Sequence, residues 1–197
     1  TARSRGLGDV YKRQDQHPIS KPGKQCIQGL INLLPTSKEI GGNVVIPKSH
    51  NFFKDLPQEY KERVERLPLD IDHFRFPHDD PKLSSEPAVM AHMEPGDMLL
   101  WDSRTIHCSS SGSSLPEGTN DLIRAASLIC MMPKKLSSKE ILDKRIHAAE
   151  NLVSTTNWTN DFRNADEFPI ILEAENRDQY KWPKKPNLSD YQKELIA

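Results

Sequence analysis

The sequence has very little net charge and no long uninterrupted apolar segment. Its formal net charge is −1, from 27 Lys and Arg residues against 28 Asp and Glu residues. A balance this close to neutral provides no bulk attraction to nucleic acid or to an anionic membrane surface. No apolar run approaches the roughly 20 residues that a transmembrane helix needs. We therefore expect neither a nucleic-acid partner nor a membrane span.

Cysteine is scarce as well, with only Cys26, Cys108 and Cys130 in the chain. An odd number at such wide spacing excludes a disulfide framework and does not match a zinc-binding pattern. Reduced thiols and an intracellular, cytoplasmic protein are expected. The 36% hydrophobic residues suffice for a globular core, and the 15 prolines indicate many loops.

Short apolar segments separated by turn residues dominate the chain and predict strands. Periodic apolar residues predict one helix at 53–67, and a Ser137/Ser138 cap followed by Glu140 predicts another at 137–152. The strands are predicted at residues 25–34, 43–47, 70–76, 88–94, 98–102, 105–110 and 122–132. This pattern is typical of a mainly-β antiparallel sandwich or barrel with added helices.

Two polar residues stand out on the predicted strands. His107 begins a stretch that shares a face with Ser109 by the two-residue repeat of a strand. Arg124 opens an otherwise apolar strand, where an unpaired guanidinium is costly and a carboxylate is its natural partner. That carboxylate belongs either to an Asp or Glu of the chain or to a bound ligand.

Other polar residues leave two interpretations open. His17 either borders a pocket or ends a turn before Pro18, and Asn32 either points toward a ligand or lies along the sheet. For one compact cluster a proline-flanked surface loop is favoured over a metal site. Its members are His73, His78, Asp79 and Asp80.

Four stretches together resemble the phytanoyl-CoA dioxygenase-like family of Fe(II)/2-oxoglutarate oxygenases. The first is DQHP at 15–18, and the second is GLINLLPTSKEIGGNVVIPKSHNFF at 29–53. The third is EPGDMLLWDSRTIHCSSSG at 94–112, and the fourth is IRAASLICM at 123–131. The resemblance implies a double-stranded β-helix, also called a jelly roll or cupin-like fold, and a hydroxylase of small or lipid-like molecules. It also implies Fe(II) and 2-oxoglutarate as cofactors.

The resemblance assigns roles to individual residues. It implies Asp15 and His107 as two of three iron ligands, Arg124 as the partner of the far carboxylate of 2-oxoglutarate, and Ser109 as a second contact to that carboxylate. The family's third ligand is a histidine two residues before the aspartate. Arg13 stands there instead, and a guanidinium cannot bind a cation.

The first fourteen residues explain this departure if they are not native. Residues 1–14 resemble translated adapter sequence, so we expect an oxygenase domain at 15–152 that has lost its N-terminal part, and a tail at 153–197 that wraps the domain. Two alternatives remain. One is a non-catalytic cupin-like shell that binds a small carboxylate or sugar through Arg124. The other treats residues 1–14 as a basic arm for an acidic partner.

Overall fold

Two antiparallel sheets form the main part of the protein. The structure is a computed structural model and describes residues 12–112, 122–153, 155–156, 158–162 and 184–196. These residues fall into two compact units, one within Arg5–Ile129 and the other within Cys130–Ala197. The mainly-β class with helices, predicted from the sequence, is confirmed.

Eight strands and four α-helices are present in the described residues. The strands are β1 Arg13–Gln14, β2 Ile27–Asn32, β3 Gly41–Val45, β4 Phe74–Arg75, β5 Val89–Met90, β6 Met98–Asp102, β7 His107–Ser111 and β8 Ala126–Met131. The helices are α1 Leu56–Glu59, α2 Lys61–Glu65, α3 Lys139–Glu150 and α4 Asp190–Ile196. Short 3-10 turns lie at Ser49–Asp55, Pro81–Ser84 and Lys134–Leu136.

The larger sheet has the strand order β4-β1-β7-β3-β5, and the smaller one has the order β6-β2-β8. In the larger sheet β1 pairs antiparallel with β4 and β7, and β3 pairs antiparallel with β7 and β5. In the smaller sheet β2 pairs antiparallel with β6, with Gln28 opposite Trp101. Among the described residues neither sheet closes into a barrel, and the two follow the two-sheet plan expected of a double-stranded β-helix.

An apolar cluster fixes the short helices beside the larger sheet. Phe74 of β4 makes edge-to-face contacts with Phe76 and with Tyr60, at centroid distances of 5.1 and 5.3 Å. The cluster consists of Ile46, Phe53, Leu56, Val64, Phe74, Phe76, Leu83 and Ile106. These contacts hold β4 and the helices in place, and Ile106 carries the packing to the residue just before β7.

The helix predicted at 53–67 is not continuous. Ser49–Asp55 is a 3-10 turn, and α1 and α2 are separated at Tyr60, whose φ and ψ are −118° and 36°. The Tyr60 hydroxyl donates a hydrogen bond of 2.6 Å to Asp80, and Pro57 near the start of α1 lacks an N–H. The apolar repeat was nevertheless informative, because Leu56 and Val64 are buried on one face.

The second unit is described separately and is mainly helical. Helix α3 begins as predicted from its cap, since the Ser138 hydroxyl accepts a hydrogen bond from the Ile141 N–H at 3.3 Å. Lys193 of α4 forms an ion pair of 2.8 Å with Glu150. Helix α4 lies in the predicted tail and was not anticipated. The boundaries predicted at 14/15 and 152/153 remain predictions.

Three further expectations concern the chain as a whole. None of the three cysteines, all within the described residues, forms a disulfide. No helix in the described parts of the chain is long and apolar enough to cross a membrane. Residues Arg13 and Gln14, the end of the segment predicted to be foreign, pair as β1. Backbone pairing does not depend on side-chain identity, so the origin of residues 1–14 remains a prediction, and residues 1–11 lie outside the described residues.

Candidate metal centre

Asp15 and His107 meet between the two sheets, as the sequence predicted. Asp15 directly follows β1, and its N–H donates to the Ser103 carbonyl oxygen at 2.9 Å. His107 opens β7, and its Nε2 lies 3.1 Å from Asp15 Oδ2. Two ligand atoms bound at right angles to one ion, each about 2.1 Å away, are about 3 Å apart. The separation therefore suits two ligands of a shared metal ion.

The ring of His107 is oriented by a backbone carbonyl. Its Nδ1 lies 2.9 Å from the carbonyl oxygen of Thr105. A carbonyl oxygen can only accept, so Nδ1 carries a proton, and Nε2 is the nitrogen that faces the Asp15 carboxylate. Metal-binding histidines are commonly held through the second ring nitrogen in this manner.

The carboxylate of Asp15 lies in a strongly cationic environment. Burial raises its pKa, but the hydrogen bond and charge of His107 and the guanidinium of Arg13 outweigh burial and lower the pKa to about 2. Arg13 Nε donates to Asp15 Oδ1 at 2.7 Å. The carboxylate is therefore ionised at neutral pH, as a metal ligand must be.

Arg13 occupies the position of the missing ligand. It lies directly opposite His107 in the β1–β7 register, so the two side chains share one face of the sheet. A histidine at this position would face the same space as Asp15 and His107. The arginine supplies a positive charge there instead, and no group of three potential metal ligands is found among the described residues. Two of the three ligands predicted from the sequence therefore lie together, and the described residues do not complete an iron site.

The two residues predicted to bind 2-oxoglutarate lie apart from the Asp15–His107 pair. Ser109 is two residues along β7 from His107 and faces Asn43 of β3 in the register. Arg124 precedes β8, next to Ala125, whose carbonyl oxygen accepts from the Leu33 N–H at 2.9 Å. No hydrogen bond joins Ser109 or Arg124 to Asp15 or His107. Their assignment remains a proposal.

Unsatisfied polar groups occur at both places. Burial lowers the pKa of the Arg124 guanidinium, which has no hydrogen-bond or ion-pair partner among the described residues. Asn43 is 7% exposed, and its buried Nδ2 has no acceptor within the same set of residues. Such groups are costly unless a partner satisfies them, so both are available to an acceptor such as a carboxylate.

Two site residues were missed by sequence reasoning. Gln28 Nε2 donates to Asp15 Oδ2 at 3.3 Å, and the indole N–H of Trp101 donates to Gln28 Oε1 at 3.1 Å. The Trp101 ring also packs against the His107 ring at a centroid distance of 5.4 Å. Neither residue was predicted from the sequence to belong to the site. Only the pairing of β2 with β6 brings them together, and no local sequence pattern reports that pairing.

The other candidate polar residues have structural roles. His17 Nδ1 accepts from the N–H groups of Ile19 and Ser20 at 3.1 Å, which makes it a turn residue. Asp80 accepts from the Lys82 N–H at 2.9 Å, as expected for the loop interpretation of the acidic cluster. Asn32 donates to the Thr36 hydroxyl at 3.2 Å.

Several known proteins are similar to this chain. "Ava biosynthesis cluster protein O" of Aspergillus versicolor is 30% identical over 150 residues, which are 72% of this chain and 46% of the relative. The chain thus spans about half the length of the curated relative that it matches. Among solved structures, EctD from S. alaskensis in its apoform has 15% identity to this chain and a TM-score of 0.38. The match covers 64% of this chain and 40% of the EctD chain.

A second similar structure is the non-heme epimerase SnoN in complex with Fe3+, alpha ketoglutarate and nogalamycin RO. It has 17% identity to this chain and a TM-score of 0.38. The match covers 64% of this chain and 45% of the SnoN chain. The phytanoyl-CoA dioxygenase (PhyH) family matches residues 8–115, a range that includes both Asp15 and His107. Because this match covers more than half of the sequence, the chain belongs to the phytanoyl-CoA dioxygenase family.

Proposed function

We propose that this chain carries the core of an Fe(II)- and 2-oxoglutarate-dependent dioxygenase that hydroxylates a small or lipid-like molecule. The observation that carries the proposal is the 3.1 Å approach of His107 Nε2 to Asp15 Oδ2 at a position matched by the family. The cofactors expected from the sequence agree with this family. The curated relative is named for a biosynthesis cluster, which favours a small molecule as substrate.

The residues divide into metal-binding and co-substrate-binding groups. Asp15 and His107 would hold the iron, together with a histidine at position 13. Arg124 would pair with the far carboxylate of 2-oxoglutarate, and a guanidinium without a partner among the described residues supports this role. Ser109, opposite the unsatisfied amide of Asn43, would add hydrogen bonds to the same anion. The iron would supply oxygen activation, and the protein would supply geometry and exclude water.

Substituting residue 13 tests this proposal directly. R13H adds the third ligand and removes the competing guanidinium, whereas R13A removes the guanidinium and adds nothing. We expect R13H to bind Co(II), an oxygen-stable substitute for Fe(II), at least tenfold more tightly than R13A, because each ligand contributes to affinity. Titration followed by the visible absorption of Co(II) measures this difference. Equal affinities for R13H and R13A would refute the three-ligand site.

Activity provides the second test. Succinate release from 2-oxoglutarate is measured with Fe(II) and ascorbate for R13H, with R13H/H107A as the control. We expect slow turnover in R13H and none in the control, since the control lacks a metal ligand. Turnover that survives in R13H/H107A would exclude His107 as a ligand.

A non-catalytic shell is the second candidate function, and the Arg13–Asp15 ion pair of 2.7 Å favours it if Arg13 is native. In that case Arg124 binds a small carboxylate without redox chemistry. Calorimetry of the unsubstituted chain with 2-oxoglutarate and no metal distinguishes the two. Binding that is lost in R124M supports the shell, and binding that requires both R13H and a metal ion supports the oxygenase.

A further inference from the structure

Gln28 links the two sheets at the candidate metal centre. It lies on β2 of the smaller sheet and is 4% exposed. Its side chain reaches Asp15, which follows β1 of the larger sheet, with Nε2 3.3 Å from Asp15 Oδ2. A buried glutamine has one acceptor and two donor hydrogens to satisfy, so its amide is placed where those needs are met.

Trp101 determines which end of the Gln28 amide faces Asp15. Gln28 and Trp101 lie directly opposite each other on β2 and β6. The indole N–H can only donate, and it lies 3.1 Å from Gln28 Oε1. If the Gln28 amide were flipped, its N–H groups would face the indole N–H of Trp101 and its oxygen would face the Asp15 carboxylate. Neither contact would be a hydrogen bond. The network therefore fixes Nε2 as the atom that faces Asp15.

The two oxygens of Asp15 are held by different groups. Arg13 donates to Oδ1, while Gln28 contacts Oδ2, the oxygen nearest His107 Nε2. With histidine in place of Arg13, the bond to Oδ1 is lost. Of the described side chains that contact the Asp15 carboxylate, only His107 and the donor Gln28 then remain.

We infer that Gln28, oriented by the Trp101 indole, is a positioning residue that holds the Asp15 carboxylate in its metal-binding orientation. This inference rests on the proposed function. Partners of metal ligands commonly affect metal affinity by about 10–100-fold. Trp101 acts through Gln28, and its ring also packs against His107, so the smaller sheet supports both ligands.

The Co(II) affinity of R13H provides the background for the test. We expect Q28L to weaken Co(II) binding about tenfold or more, because Leu cannot donate. W101F retains an aromatic ring against His107 but removes the indole donor, so a smaller loss is expected. Adding W101F to Q28L should cause no further loss, since Trp101 acts through Gln28. If the losses of Co(II) affinity caused by Q28L and W101F are additive in the double variant, the inference is overturned.

A matched control comes from the same strand. Asn32 is buried on the same face of β2 as Gln28, and its amide donates to Thr36. N32L therefore removes a buried amide that does not contact Asp15. We expect N32L to lower stability and to leave Co(II) affinity and the Co(II) visible spectrum unchanged. If N32L weakens Co(II) binding as much as Q28L does, Gln28 has only a general structural role.

A metal-free measurement separates this inference from the proposed function. In the Arg13 chain, urea unfolding of Q28L, D15N and the double variant gives the coupling between the two side chains. We expect the free energy of unfolding to fall by clearly less in the double variant than by the sum of its decreases in the two single variants. Additive losses overturn the inference. Coupling together with no Co(II) binding in R13H refutes the iron site and retains Gln28 as the residue that positions Asp15.

Discussion

Asp102 and Arg104 form a two-pronged ion pair just after the strand that carries Trp101. Arg104 Nε and Nη2 donate to the two carboxylate oxygens at 2.9 and 2.8 Å. Burial raises the pKa of Asp102, but the side-chain and backbone hydrogen bonds from Arg104 outweigh burial and lower it. The pair shapes the turn between β6 and β7, which places His107.

The lowered pKa of Asp102 predicts a loss of stability in acid. The contribution is fully present above the ordinary carboxyl pKa of about 4 and disappears as the pH falls through the lower folded-state value. We expect D102N to lose on the order of 1–2 kcal/mol at pH 7 and to show a shallower decline in stability below pH 4. Urea unfolding from pH 7 to pH 2, followed by tryptophan fluorescence, measures both.

An exposed carboxylate of the same unit serves as the control for this experiment. D79N removes the charge of an exposed side chain and should follow the acid profile of the unsubstituted chain. If D102N shows the same acid profile as D79N, the ion pair contributes nothing to acid stability.

Residue chemistry singled out Asp15 and His107 as candidate ligands, but it did not single out the residues that contact them. Asp15 lies two residues after position 13, where the family has a histidine, and His107 begins a later strand. This spacing and these side chains can be recognised in the sequence alone. Gln28 carries no such signal, because an amide in an apolar strand is equally compatible with a surface position. Its role depends on Trp101 lying opposite, and that depends on a pairing between segments about seventy residues apart in the sequence.

At the scale of elements, the prediction was close for β6 and α3, whereas β1 was not predicted and only two residues of the strand predicted at 70–76 form β4. The strand at 98–102 matches β6, and its apolar run ends at the Asp102 turn. The helix predicted at 53–67 is broken at Tyr60, where a tertiary hydrogen bond to Asp80 competes with helix continuation. Periodicity reports which face of a segment is buried, and it does not report whether the backbone between two turns remains helical.

The turn that begins β3 depends on a glycine. Gly41 has φ +94°, and a Cβ there would lie 2.3 Å from the Ser110 carbonyl oxygen. Gly96 has the same φ of +94° but nothing within 4 Å of its ideal Cβ. The two glycines therefore share the backbone strain that alanine would introduce and differ in the space available.

Comparing G41A with G96A isolates the effect of that close approach. We expect G96A to lose about 1–2 kcal/mol, the usual cost of a left-handed conformation for an L-residue. G41A should lose at least 2 kcal/mol more, because a methyl group must displace the backbone of β7. Chemical denaturation of both variants measures the difference, and equal losses would show that β7 yields without cost.

At the scale of the whole molecule, the outer face of the smaller sheet is unusually apolar. Met98 and Leu100 alternate along β6 on the face opposite to that of Trp101, and they are 53% and 47% exposed. The opposite face of the same sheet carries Gln28 and Trp101 toward the metal centre. Apolar side chains clustered on an exposed sheet face favour non-specific association and binding of hydrophobic dyes.

Polar substitutions on this face should reduce dye binding without unfolding the protein. We expect M98T/L100T to lower the fluorescence of a bound hydrophobic dye by at least half, and to change the free energy of unfolding by less than about 1 kcal/mol. L195T, at an exposed leucine of α4, is the control and should change dye fluorescence little. Equal effects of the control and the double substitution would show that the exposed face of the sheet is not the dye site.

The position of β1 between β4 and β7 has a consequence for how the chain is made. β1 is synthesised before both of the strands that flank it, which end at Arg75 and at Ser111. One edge of β1 therefore stays open until β4 has been synthesised and the other until β7 has been synthesised, and open edges invite wrong partners. The contact between Asp15 and His107 spans 92 positions, so it forms late and marks a correctly completed sheet. A metal ion that bound this pair would also act as a checkpoint on folding, because it would be retained only by chains in which β1 and β7 had paired.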